Sequence, residues 1–315
     1  MTRPIVVGYE GSAGAREALR WALDEAACTK VPVHLAYAFP PLTAGAGMAP
    51  GIAPGIAPGI GPGIGSGTWS DDVARREIET VLRDAVTAAA ATHPEVTVHG
   101  EVLDGPATPV LRERSADASL MVLGSRGHGG FTGLLTGSTT VAVCAHAHCP
   151  VVVVRAPQPA SAAGAAPIVV GVDGSECSLL ALEFAIERAA NRPAPVRVLR
   201  APVPPIGRRA PDRDPAEITR AEQARLDELL AGWRQRWPAV ELTAEVVAGT
   251  PAEALVAASR TARLAVVGSR GLGGFRGLLL GSVSQQLMQH GECPVAVVRE
   301  LPDAARPEQI SRERS

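Results

Sequence analysis

The sequence predicts an α/β protein built as two tandem, doubly wound parallel domains of five strands each. Three observations carry this: the chain contains one unit twice, each unit alternates apolar runs with amphipathic ones, and the apolar runs are nearly continuous Val, Ile and Leu. Continuous apolar strands fit a sheet covered by helices on both faces. The 315 residues suit two domains at about 150 residues each, and 46% hydrophobic content suffices for two cores. The repeat is direct. Ile5-Val6-Val7-Gly8-Tyr9-Glu10-Gly11-Ser12 answers Ile168-Val169-Val170-Gly171-Val172-Asp173-Gly174-Ser175 at an offset of 163. Residues 124–138 answer 268–282 at an offset of 144, with twelve of fifteen positions identical. The offset falls by 19, so the first copy carries an insertion of about that size, and the Gly-Ile-Ala-Pro repeats within about 44–68 supply it.

Each element follows in order. A strand at 5–7 or 168–170 leads to a helix starting at Ser12 or Ser175, where Ala18, Leu19, Ala22 and Leu23 match Ala181, Leu182, Ala185 and Ile186. A second apolar run at 33–38 or 196–201 completes a βαβ unit. A charged amphipathic helix follows at about 70–91 or 215–236, then strands at 96–102 or 240–247. A short helix from about 107 or 251 precedes strands at 120–123 or 264–267, a glycine loop, a helix, and last strands at 151–154 or 295–298. The resulting boundaries are a first domain at 1–156, a linker at 157–166, a second domain at 167–300 and a polar tail at 301–315.

Composition excludes several functions. Thirty Lys plus Arg against 32 Asp plus Glu leave a net charge of −2, no general electrostatic basis for binding nucleic acid or anionic lipid. Ten aromatic residues offer little stacking surface for single strands. Lys30 is the sole lysine and follows no glycine loop, which excludes a Walker A motif. Residues 31–70 carry no Asp, Glu, Lys or Arg, but nine glycines and four prolines between 45 and 67 preclude a spanning helix. The opening Met1-Thr2-Arg3-Pro4 runs straight into a strand, without the h-region of a signal peptide, so a cytoplasmic protein is expected. Five cysteines form no C-x-x-C pair and read as reduced, structural thiols.

The chemistry points to the glycine loop, Gly124-x2-Gly127-x9-Gly137-Ser138, repeated as Gly268-x2-Gly271-x9-Gly281-Ser282. It joins a buried strand to a helix. Glycines there would permit positive φ and a close backbone approach to a ligand, and Ser138 or Ser282 would sit beside unpaired amides at the positive end of a helix. Phosphates suit such a place without a lysine. Arg126 and Arg270, inside the loops, are second-rank phosphate contacts, since loop arginines are usually solvated. Cys144, His146, His148 and Cys149 look like a metal cluster, but their counterparts Met288, His290, Glu292 and Cys293 could not supply the same site. Cys28 and Cys177 read as small helix residues with no histidine partner.

With its G-x2-G-x9-G-[S/T] loop and its Val-Gly-Val-Asp-Gly-Ser opening of the second copy, the chain resembles the tandem universal stress proteins of the ATP-binding class. The resemblance covers all but the linker, insertion and tail. It implies Rossmann-like domains of strand order 3-2-1-4-5, in which the first and fourth strands flank a crevice at the topological switch point. It further implies that ATP is held there, with the loop on its phosphates, a divalent metal such as Mg nearby, and Asp173 on the nucleoside side. Gly105 and Gly249, after the third strands, either border the crevice or are ordinary turns. The first copy departs from the pattern. Glu10 stands at the aspartate position and Tyr9 replaces Val172, so a weaker first site is expected unless a loop shift absorbs the change. The resemblance implies a stress-response protein whose adenine-nucleotide occupancy tunes its conformation or an unidentified protein partner. No general base or arginine finger stands beside the loop, so hydrolysis would be slow; a true ATPase and a nucleotide-free scaffold are the alternatives. The resemblance also implies that the apolar last strands pair within the chain as a pseudo-dimer, and a homodimer of whole chains is a further expectation.

Overall fold

The computed structural model describes residues 2–40, 71–127, 136–155, 166–202, 214–273 and 279–300. The Gly-Ile-Ala-Pro insertion, the tail and nearly all of the expected linker lie outside the described residues, as do the middles of both glycine loops. The first copy contains β1 (Ile5–Gly8), α1 (Ala13–Thr29), β2 (Val33–Phe39), α2 (Asp71–Thr92), β3 (Val98–Asp104), α3 (Ala107–Arg114), β4 (Leu120–Gly124), α4 (Ser138–His146) and β5 (Val151–Val154). The second contains β6 (Ile168–Gly171), α5 (Glu176–Asn191), β7 (Val196–Arg200), α6 (Pro215–Arg236), β8 (Leu242–Val246), α7 (Pro251–Ser259), β9 (Leu264–Gly268), α8 (Ser282–His290) and β10 (Val295–Val298). Strand order is β3-β2-β1-β4-β5 in one and β8-β7-β6-β9-β10 in the other, the 3-2-1-4-5 order expected. The chain divides into compact units comprising 1–148 with 154–156, and 149–153 with 157–315. In the second unit residues 151–153 run antiparallel to 295–297.

In the first unit, β1 lies between β2 and β4, parallel to both, with Ile5 opposite Val33 and Leu120. All four residues of β1 are buried, which is why its sequence is unbroken Ile-Val-Val before the glycine. Because β1 and β4 run in the same direction, the turn after Gly8 and the loop after Gly124 emerge at one end of the sheet. The second unit repeats this with β6 and β9, Ile168 standing opposite Leu264.

The helices start where their caps dictate. Ser12 Oγ accepts the Ala15 amide at 3.0 Å, and Ser175 Oγ accepts that of Ser178 at 3.3 Å, so both serines are N-caps just outside α1 and α5. The strands expected at 96–102 and 240–247 are shorter or shifted: Val96 and Val240 are buried but sit in turns, their amides bonded to His93 and Trp237 carbonyls at 3.0 Å. Their apolar character reflects burial beneath the turn, not membership of the ladder.

Candidate functional site

In the second unit, the switch point between β6 and β9 opens into a cavity of about 550 Å³. That is the size of a small-molecule site. One wall is apolar: Val172, Leu199, Val247, Ala254 and Leu255, with Pro251 at the start of α7. The facing wall is the glycine loop, Gly268, Arg270, Gly271, Gly281 and Ser282, with Ser284 behind it. Asp173 stands at the boundary between the walls.

The signature glycines do not adopt positive φ where they are described. Among the described glycines that conformation falls to Gly11, Gly174, Gly105 and Gly249, at +82°, +94°, +127° and +96°, paired positions in the two copies. The signature glycines are instead needed for their missing Cβ, each for its own reason. A Cβ on Gly268 would lie 2.8 Å from the Cys177 carbonyl carbon, and one on Gly124 2.7 Å from that of Gly14, so these glycines let α5 and α1 pack on the strand ends. A Cβ on Gly271 would lie 2.3 Å from Asp173 Oδ2, and one on Gly127 2.9 Å from Glu10 Oε1. Around Gly137 and Gly281 the nearest atoms stand at 3.6 and 3.5 Å, ordinary contacts that a Cβ would meet without strain.

Gly137 and Gly281 are the N-caps of α4 and α8, with no side-chain cap bond, and Ser138 and Ser282 are exposed first residues of those helices. The first amides of α8 therefore face the cavity mouth without a capping side chain. Two residues that the motif does not name hold this arrangement. Ser284 Oγ donates to the Ser269 carbonyl at 3.2 Å and to that of Gly281 at 2.9 Å, and Thr140 Oγ1 donates to the Gly124 carbonyl at 3.0 Å. A hydroxyl three residues after the last glycine in both copies was the available signal for them.

Asp173 is fully engaged. Its Oδ1 accepts the Ser175 amide at 2.9 Å, and its Oδ2 accepts the Leu272 amide at 2.8 Å, from inside the glycine loop. Burial pushes its carboxyl up, yet hydrogen bonds from the Ser175 hydroxyl and amide, the Leu272 amide and Ser178 outweigh that and hold it below the ordinary value. In the first copy Glu10 accepts from the Ser12 hydroxyl, as Asp173 does from that of Ser175. Tyr9, 6% exposed, is buried at the position of the cavity-lining Val172. Burial, opposed by Arg16 and assisted by Glu10, raises its hydroxyl. His128, counterpart of Leu272, lies outside the described residues.

Gly249 does not line the cavity; it forms the turn between Val247 and Pro251, which do. Gly105 makes the same turn in the first copy, its amide bonded to the Phe39 carbonyl at 2.8 Å. Arg270 is exposed and lines the cavity, and Arg126 is exposed. Cys144 is buried in α4, which pushes its thiol up to about 12, and Cys149 lies beyond the helix end. Among the described residues no three His, Cys, Asp or Glu side chains are grouped to hold a metal, and no helix is long and apolar enough to cross a membrane.

The family model described as the universal stress protein family matches residues 1–155 and again 165–299. Universal stress protein Rv2623 of Mycobacterium tuberculosis is 38% identical over 94% of this chain and 96% of its own length. Universal stress protein Rv1996 of the same organism is 34% identical over 96% of this chain and 97% of its own. Among solved structures, a universal stress protein from Archaeoglobus fulgidus superimposes on 95% of this chain and 99% of its own with a TM-score of 0.62, at 18% identity. With two matches to the family model and relatives aligned over nearly its whole length, the chain belongs to the universal stress protein family, a stress-response class, as two tandem copies of its domain.

Proposed function

We propose that the second copy binds ATP, and that occupancy of the crevice tunes what the protein presents to a protein partner. The observation that carries this reading is the division of one cavity of about 550 Å³ into an apolar wall and a wall of glycine backbone with Arg270 and Ser282. A purine fits between Val172, Leu199, Val247 and Leu255. Phosphates fit the uncapped start of α8, where amides and the helix dipole favour anions. Gly281 itself lines the cavity, and each charge-assisted bond contributes about 1.5–3 kcal/mol. Mg would be carried mainly by the phosphates' own oxygens, with the Ser282 hydroxyl and water completing its shell. Asp173 ties Leu272 to the floor of the crevice, so a ligand drawing on the same loop would change the loop's outer face.

Turnover is not central to this reading. Asp173 is the sole carboxylate lining the described cavity and already accepts two backbone amides, which leaves no free general base there. The first copy, with Tyr9 and Glu10, is the weaker site.

Calorimetric titration of the full chain with Mg-ATP tests the proposal. One tight site is expected, abolished by Gly281→Val, which fills the cradle, and retained in Gly137→Val. Absence of both heat and thermal shift in the unmodified chain would refute nucleotide binding and leave a nucleotide-free scaffold.

A further inference from the structure

The two copies treat their outer sheet edges differently. In the second, α6 seals β8: Gln223 Nε2 donates to the Ala244 carbonyl at 3.2 Å, Gln223 Oε1 accepts the Val246 amide at 3.2 Å, and Arg234 reaches the Leu242 carbonyl at 3.5 Å. One amide side chain thus imitates a neighbouring strand. The corresponding residues of β3 are Val98, Gly100 and Val102. Thr97 and Gly105 direct their backbone groups to β2, so the alternate residues direct theirs outward, and among the described residues nothing pairs with them. Glu79 occupies the place of Gln223. It cannot donate to a carbonyl, and it lies 3.9 Å from Arg75. An open groove floored by Leu82, Val86 and Val98 runs between α2 and this edge.

Unsealed edges recruit strands. We propose that β3 pairs antiparallel with β3 of a second copy of this chain, about a twofold axis through Gly100. The proposal is independent of the nucleotide reading. Its ground is the self-complementarity of Val98-His99-Gly100-Glu101-Val102. With Gly100 opposite Gly100, Val98 and Val102 face each other in hydrogen-bonded pairs. His99 then faces Glu101 in the non-hydrogen-bonded pairs, where side chains approach most closely. Two His99–Glu101 pairs therefore form, one on each side of the axis. His99 and Glu101 are both exposed, Glu101 also forming an ion pair with Arg114 of its own chain, and Gly100 puts no side chain between the strands at the axis. A Cβ on Gly100 would lie 3.1 Å from Leu82 Cβ, so α2 closes over the glycine, and the two valines of the incoming strand meet the groove at Leu82 and Val86, between Arg75, Glu79 and Arg83 on its rim. The sealed edge lacks this pattern, reading Leu242-Thr243-Ala244-Glu245-Val246.

Sedimentation equilibrium of the full chain at micromolar concentration tests this, with thermal melting as the check on folding. The unmodified chain is expected to dimerise. His99→Glu sets carboxylates opposite each other and should weaken the dimer about tenfold. The charge-swapped double variant His99→Glu with Glu101→His should restore it in part, since Glu101→His also gives up the ion pair with Arg114. Glu79→Gln transfers the seal of the second copy and should give monomer. Amides of Gly100 and Val102 should gain hydrogen-exchange protection as concentration rises. A monomeric unmodified chain overturns the proposal and leaves the edge to a strand of another protein; a dimer indifferent to both His99→Glu and Glu79→Gln overturns it too.

Discussion

Glycine is one residue type with three distinct uses in this loop, and substitution separates them. Gly268→Ala forces a Cβ to 2.8 Å from the backbone of Cys177 and should cost about 1–3 kcal/mol of stability, read by urea unfolding. Gly281→Ala meets only ordinary contacts and should cost no more than about 1 kcal/mol, as an N-cap change. Asp173 gives the second residue-scale prediction. Its carboxyl is held below the ordinary value in the folded chain, so its stabilising contribution is complete above about pH 4 and is lost as pH falls through the folded value. Asp173→Asn should therefore be less stable at neutral pH, and its stability curve should converge with that of the unmodified chain in acid. Parallel curves across that range would assign the acid sensitivity to other carboxylates.

At the scale of elements, α7 carries one wall of the crevice, and its start is fixed by a reciprocal cap. The Thr250 hydroxyl donates to Glu253 at 2.8 Å and accepts the Glu253 amide at 3.3 Å. Thr250→Ala should cost about 1 kcal/mol in chemical unfolding and loosen Pro251 and Ala254 beside the cavity. The repeat made the elements legible, because helix and strand periods recur at matched positions. It could not fix the ends of β3 and β8, where Val96 and Val240 are buried in turns and so resemble strand residues. The glycine spacing located the loop but not the reason for each glycine: contacts with Cys177, Gly14 and Asp173 come from distant sequence, visible only once α1 and α5 lie on the strand ends. Of the positive-φ glycines, 105 and 249 are legible in the sequence as turns or crevice borders after the third strands, whereas 11 and 174 carry no separate signal.

At the scale of the whole molecule, duplication has left one architecture with two differently furnished crevices. The β6–β9 crevice keeps Val172 and Asp173, and its loop is tied down through Leu272. The β1–β4 crevice has a buried Tyr9 where Val172 lines the other, and a carboxylate turned to Ser12. Tyr37, matching Arg200 of the second copy, is raised by burial and by the nearby Glu10. If bulk and carboxylate length alone separate the copies, they should be interchangeable by design. Tyr9→Val with Glu10→Asp should raise the number of ATP sites seen by calorimetry from one to two, at concentrations where the unmodified chain fills one. Removing the Tyr9 ring from the core will lower stability by about 2–4 kcal/mol, so the titration belongs well below the melting transition. Glu10→Asp alone should give a smaller gain, since the ring remains. Two equal sites in the unmodified chain would show instead that the first crevice yields to its ligand and that Tyr9 is no barrier.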